Sequence, residues 1–155
     1  MNAEPLLSSI VGALAEARLE AILIGNAAAA LLGAPVTTLD FDFMFRATPP
    51  NLAKLKRFAC ALDAVILRPY YPVSALYRVV NDDRGLQADF MRAIHGVKSF
   101  NSLRSRAERV EVSGHRLWVA SLADILASKR AAGRPRDKAV IDILEATLRE
   151  KRKTQ

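Results

Sequence analysis

The chain has 155 residues, 51% of them hydrophobic, a formal charge of +7 and a single cysteine. That length fits one domain with a substantial core, and the lone Cys60 excludes any intramolecular disulfide. A basic balance of this size points to polyanionic partners: nucleic acid, nucleotide phosphates or an acidic protein.

The charge is lopsided. Residues 1–91 carry 8 Lys+Arg against 9 Asp+Glu, whereas residues 92–155 carry 15 against 7. A phosphate-facing C-terminal half is therefore expected. The most apolar stretch, near residues 21–34, is too short to span a bilayer and holds Gly25 and Gly33. The N-terminus lacks the basic start and cleavage site of a signal peptide, so no membrane association and a cytoplasmic location are expected.

Residues 4–18 predict a helix, with Pro5 in its first turn and Leu6, Leu7, Ile10, Val11, Leu14 and Ala15 on one face. Residues 20–24 form a buried apolar strand that ends at Gly25. Asn26 is placed to cap a short helix over Ala27–Leu32, which Gly33 stops and Pro35 terminates. A second strand is expected over residues 38–46, with Asp40 and Asp42 set into it. Thr48, Pro49 and Pro50 start a helix that carries Leu52, Leu55, Phe58, Ala59 and Leu62 at helical spacing. Lys54, Lys56 and Arg57 lie on its polar side, and Cys60 reads as a small core residue.

Ala64–Arg68 is a short strand, followed by a rigid link through Pro69, Tyr70, Tyr71 and Pro72. Those tyrosines are suited to stacking on a base, although covering a core edge is the commoner use of loop tyrosines. Ala75–Val80 and Leu86–Met91 are strands joined by a turn at Asn81–Gly85, in which Asp82 and Asp83 are turn residues. A short helix is expected from Ser99 to Arg106, then a hairpin of Val110–Val112 and Leu117–Val119 with His115 in its turn. His115 reads as an exposed turn residue and His95 has no obvious base partner, so neither is assigned a role. Ser121 and Asp124 resemble a capping box for a helix that ends at Gly133. Pro135 begins a last helix with Ile141, Ile143, Leu144 and Leu148 on its apolar face and a frayed basic tail at Arg149–Lys153.

The anomaly is the acidic pair. Alternate residues of a strand share a face and lie about 6.5–7 Å apart, so Asp40 and Asp42 face one way while Leu39, Phe41 and Phe43 face the other. Neighbouring carboxylates repel and are costly to bury without cations. A divalent metal answers both problems, and Mg²⁺ suits carboxylates that share it with phosphate oxygens. The plain alternative is an edge strand with its acidic face in water. Asp89 poses the same question, since it is flanked by Ala88 and Phe90 in an otherwise apolar strand.

Two signatures together resemble the DNA polymerase β-type nucleotidyltransferases, in the small bacterial branch that includes toxin–antitoxin and abortive-infection proteins. The first is Gly25-Asn26, a short helix, Gly33, then Val36-Thr37-Thr38-Leu39-Asp40-Phe41-Asp42. The second is the run Ser121–Asp137, in which Lys129, Arg134 and Asp137 fall at family positions. Asn26 stands where the family usually has Ser or Gly, and Val36 where many members carry Arg.

The resemblance implies an α+β fold over residues 1–155: an α/β core to residue 119 and C-terminal helices over 120–155. Its mixed sheet would have the strands near 20–24, 38–46 and 86–91 at its centre, helices packed on one face and a C-terminal helical pair. It implies Asp40, Asp42 and Asp89 as ligands of two Mg²⁺ ions. Gly25, Asn26 and Thr38 would lie at the triphosphate, with Lys129 and Arg134 as phosphate-contacting cations, Lys129 also a candidate catalytic group. The implied reaction moves a nucleoside monophosphate from a nucleoside triphosphate to a hydroxyl, on a tRNA 3′ end or a protein side chain. The rival reading is a catalytically weak member that binds instead: an antitoxin, a partner of a toxin, or a nucleic-acid-binding module.

Overall fold

The computed structural model describes residues 3–154. Six α-helices and seven strands follow in the order α1 (Ala3–Ala17), β1 (Ile22–Ile24), α2 (Gly25–Leu31), β2 (Phe41–Met44), α3 (Pro49–Ala61), β3 (Val65–Leu67), β4 (Tyr77–Asn81), β5 (Leu86–Met91), α4 (Phe100–Arg106), β6 (Glu108–Val112), β7 (His115–Val119), α5 (Leu122–Ala132) and α6 (Pro135–Lys153). All seven strands join one sheet in the order β3-β4-β5-β2-β1-β7-β6. β2 runs parallel to β5 and β1 parallel to β7, while the other pairs are antiparallel. The fold is the expected α+β arrangement, and β5, β2 and β1 are its three central strands.

Cross-strand register sorts the side chains into two faces. Leu23, Phe43, Phe90 and Tyr77 form one row across β1, β2, β5 and β4. Phe43 stacks on Phe90 at 5.0 Å, and Phe45 and Phe58 meet the Phe90 ring edge-on. Phe58 brings α3 onto this face, where it packs against α1. The adjacent row, Ile24, Asp42, Asp89 and Arg78, is one residue out of phase and points to the opposite face.

Local signals explain most element ends. Thr48 caps α3 by accepting from Asn51 N at 3.3 Å, and Ser99 caps α4 by accepting from Ser102 N at 3.0 Å. The β4–β5 connection is a single 3₁₀ turn, Asp82–Arg84, closed by the Asn81 side chain. Several expectations are corrected. Asn26 does not cap α2: the helix opens two residues earlier than expected, at Gly25, with no side-chain cap. Cys60 is exposed, because α3 buries only the stripe of Leu55, Phe58 and Ala59. His115 opens β7 instead of sitting in its turn, and Arg149–Lys153 stays helical as the last turn of α6. Asp124 does not complete a capping box; Ser121 caps α5, while the Asp124 carboxylate accepts from Arg106 Nε at 2.8 Å.

One backbone approach ties two parts of the cleft together. Gly96, in the loop after β5, has φ +74, and a Cβ there would stand 2.8 Å from the Ala127 carbonyl oxygen of α5. Only a residue without a side chain fits.

Phe90 is the hub of the aromatic cluster, and its ring is fully buried. Phe90→Ala is expected to cost about 3–5 kcal/mol, through lost transfer energy plus a residual cavity. Denaturant unfolding of the two proteins measures this; a loss below about 1 kcal/mol would contradict the packing described.

Candidate active site

The face opposite α3 carries a cleft of about 690 Å³, bounded by β1, β2, β4 and β5 on one side and by α5 and α6 on the other. Asp42 and Asp89 are direct cross-strand neighbours on parallel β2 and β5, so their carboxylates rise from the cleft floor side by side. Asp40 also lines the cleft, but from the exposed segment before β2, not from within the strand as expected. The Thr38 hydroxyl accepts from Asp40 N at 3.0 Å, which fixes the approach to β2. Thr38 therefore shapes the carboxylate-bearing segment. Val36, at the usual Arg position, packs against the core.

Gly25 stands beside the acid row. Its φ is +71, and a Cβ on it would lie 3.4 Å from Asp42 Oδ2. The turn thus brings backbone close to the carboxylate in a conformation that side chains rarely adopt. Asn26 follows in the first turn of α2, lining the cleft, and its buried Oδ1 has no hydrogen-bond partner in the protein. A buried polar atom left open in this way marks spare binding capacity.

The two acids of the floor meet different fates. Asp89, 9% exposed in its side chain, is held from across the β4–β5 hairpin by Arg78, whose Nε and Nη2 donate to Oδ1 and Oδ2 at 2.9 and 3.1 Å. That fork raises the Arg78 pKa above its ordinary value. Asp42 has no such partner. Burial, then the charges of Asp89 and Asp40, push its pKa from 3.8 to about 6, and the more distant Lys129 and Arg78 offset only part of this.

Opposite the acids, Lys129 of α5 is nearly buried, with Nζ 3.6 Å from Asp137 Oδ1. Desolvation lowers its pKa, against the raising influence of Asp137. Asp137 itself, 3% exposed, accepts from Arg134 Nε at 2.8 Å and from the Arg134 backbone N at 3.3 Å. The Arg134 hydrogen bond, aided by Lys129, holds the Asp137 carboxyl below its usual range. One buried carboxylate thus orients both cations expected at the phosphates.

Every residue singled out in the sequence as a site residue lines this one cleft: Gly25, Asn26, Thr38, Asp40, Asp42, Asp89, Lys129 and Arg134. Among the described residues, however, no three His, Cys, Asp or Glu side chains are gathered closely enough to enclose a metal ion. Asp40 sits at the rim, and both oxygens of Asp89 face a guanidinium. The donor set still suits a hard divalent ion: oxygens only, an uncompensated carboxylate at Asp42, and an unpartnered amide oxygen nearby. Arg78 is a cleft residue that the sequence reading missed, and Tyr70 of the Pro69–Pro72 link lines the cleft as well. Pairing outward from the Asn81–Gly85 turn does place Arg78 opposite Asp89, so the signal was in the hairpin register.

No family model and no curated protein matches this sequence. Solved structures do. A protein of Thermotoga maritima named a nucleotidyltransferase, TM1012, aligns over 97% of this chain and 92% of its own, at 19% identity and a TM-score of 0.65. The antibiotic-resistance factor ANT(2'')-Ia aligns over 97% and 92%, at 15% identity and a TM-score of 0.59. JHP933 from Helicobacter pylori aligns over 83% of this chain and 54% of its own, at 21% identity and a TM-score of 0.51. The chain has the fold of these proteins, a nucleotidyltransferase fold.

Two outcomes follow from the acid row. In metal-free buffer Asp42 takes up a proton in the folded protein at a pH where the unfolded chain releases it. Its ionisation therefore costs stability fully above pH 6 and not at all below about 3.8. Asp42→Asn is expected to be more stable than wild type at pH 7.5, by about 3 kcal/mol at most. The two should converge towards pH 4, as read by thermal melts across that range; a parallel pair of curves would refute the assignment. Arg78→Ala strips Asp89 of its counter-charge and is expected to cost about 1–3 kcal/mol in chelator. Mg²⁺ should then raise the melting temperature of the variant by more than that of wild type, because a cation restores the missing charge.

Proposed function

We propose that this protein is a metal-dependent nucleotidyltransferase, which moves a nucleoside monophosphate from a nucleoside triphosphate to a hydroxyl on RNA or protein. The observation that carries the reading is the pairing of Asp42 with Asp89 on adjacent central strands. They share one cleft with Lys129, Arg134 and the Gly25 turn. The nucleotidyltransferase fold supports it.

Asp42 and Asp40 are the residues that would hold Mg²⁺, with Asp89 joining them if Arg78 yields; the family resemblance implies two ions. Bound there, the metal would lower the acceptor hydroxyl's pKa and stabilise charge on the leaving pyrophosphate. The chain's own part is electrostatic and positional. Backbone N–H groups at the Gly25 turn and the Asn26 amide N–H would face the triphosphate, while the unpartnered Asn26 Oδ1, an acceptor, is open to a cation or a donor. Lys129 and Arg134, aimed by Asp137, neutralise the remaining phosphate charge. In the transfer, the acceptor oxygen bonds to the α-phosphorus, the bond to the bridging oxygen of pyrophosphate breaks, and the acceptor's proton passes to a carboxylate. The resemblance assigns that proton to Asp89. A guanidinium fork favours the ionised carboxylate, so Arg78 must loosen before Asp89 serves as a base.

One observation favours a second reading. With both Asp89 oxygens committed to Arg78, Asn26 at the family's Ser or Gly position and Val36 at its Arg position, a catalytically weak binding protein also fits. Such a protein could act as an antitoxin, as a toxin's partner or as a nucleic-acid-binding module.

Incubation with each α-labelled triphosphate, Mg²⁺, total RNA and soluble lysate protein separates the two. Wild type is expected to transfer label to one macromolecular class, and Asp42→Asn to transfer at least about 100-fold less. Equal labelling by both proteins would remove the proposed chemistry. Mg²⁺-dependent nucleotide binding by calorimetry without any transfer would favour the binding protein.

A further inference from the structure

The family resemblance implies two divalent ions shared by Asp40, Asp42 and Asp89, yet a cation of the chain already stands where one of them would bind. Arg78 and Asp89 are opposite each other across the β4–β5 hairpin, and the fork of Nε and Nη2 uses both carboxylate oxygens. A guanidinium matches a carboxylate in this geometry and, unlike an ammonium, never vacates a site by losing its proton. Nor are the two partners free to part. Asp89 sits between buried Ala88 and Phe90, and the Tyr70 ring lies 5.7 Å from the guanidinium at the cleft. Leu67 is the next residue of the row beyond Arg78, and residues 64–81 contain no acid. A displaced Arg78 therefore finds no second carboxylate in that stretch.

The uncommitted oxygens lie on the Gly25 side of the row. Asp42 Oδ2 is 3.4 Å from where a Cβ on Gly25 would stand, and Asn26 Oδ1 has no partner. Charge agrees with this division. One guanidinium and one divalent ion balance the three carboxylates, whereas a second ion at Asp89 would be set against the guanidinium and repelled by it. We propose that the cleft takes one divalent ion, at Asp42, and that Arg78 stands in the place of the second, beside Asp89. The inference rests on the proposed function for the ion at Asp42, and departs from the two ions that the resemblance implies. Asp89 then acts as the positioning residue of Arg78 and is withdrawn from proton transfer. An acceptor bound beside it meets a guanidinium instead of a metal.

The test counts Mn²⁺ bound per chain by electron paramagnetic resonance, in the intact protein alone and with α,β-methylene-ATP, whose α–β bridge cannot be cleaved. With the analogue, wild type is expected to hold one ion and to lack the dipolar broadening of two ions about 3.5–4 Å apart. Arg78→Ala is expected to hold two ions with that broadening, and Arg78→Ala combined with Asp89→Asn to return to one. Two coupled ions in wild type, or a folded Arg78→Ala that still holds one, would overturn the inference. Should the alanine variant fail to melt cooperatively, Arg78→Gln, which keeps a neutral side chain of similar length, takes its place with the same two outcomes. The protein without nucleotide is the separate arm. If the analogue does not bind, the transferase reading fails, and one more ion in the Arg78 variant than in wild type still upholds the substitution of arginine for metal. Analogue binding with no ion gained sinks that substitution alone, and no ion bound by any variant in either arm sinks both.

Discussion

Two carboxylates on adjacent strands of a central sheet are a problem that the rest of this molecule is arranged around. Asp42 and Asp89 are register neighbours with apolar residues on either side along their own strands, so neither can turn away. Buried like charges demand compensation. Arg78 supplies it fully for Asp89, and Lys129 only at a distance for Asp42. The imbalance leaves negative charge concentrated at one wall of an open cleft, beside a glycine turn that keeps side chains out of the way. A site that is polar, uncompensated and accessible is poised to take a cation together with an anionic ligand.

The opposite wall solves the converse problem. Lys129 is drawn from solvent by α5, and an isolated buried ammonium would tend to lose its proton. Asp137 opposes this while also fixing Arg134, so a single acid in the first turn of α6 organises two cations on two elements. Its place near that helix's N-terminus suits its charge. The cleft is thus a positive wall facing a negative one, each with its own internal counter-charge.

Much of this was legible in the sequence, and the exceptions have identifiable causes. The Leu86–Met91 strand is found with its expected bounds, because alternation and a strong turn both define it. The three expected strands are central because they are the most apolar ones. Asp40 fell outside its strand because the Thr38 side chain captures the backbone N–H of Asp40, a local bond that periodicity does not see. Cys60 read as core from helical spacing, but α3 buries a narrow stripe and residue 60 lies beside it. Asn26 looked like a cap because Asn usually caps; the helix instead opens at Gly25, at positive φ beside Asp42, and Asn26 lies inside its first turn. Arg78 was hidden for a different reason. An arginine on a strand reads as solvated until the register places it over an acid.

The contact between Gly96 and the Ala127 carbonyl makes the two walls of the cleft mechanically one object. The loop leaving the strand of Asp89 rests directly on the helix that carries Lys129, backbone against backbone, with no side chain between them to flex. At this point the spacing between strand and helix is therefore set by main-chain dimensions, which vary little, instead of by rotamers, which vary freely. Adaptation to a bulkier guest in this cleft has to come from the Tyr70 side, where the wall is built of side chains.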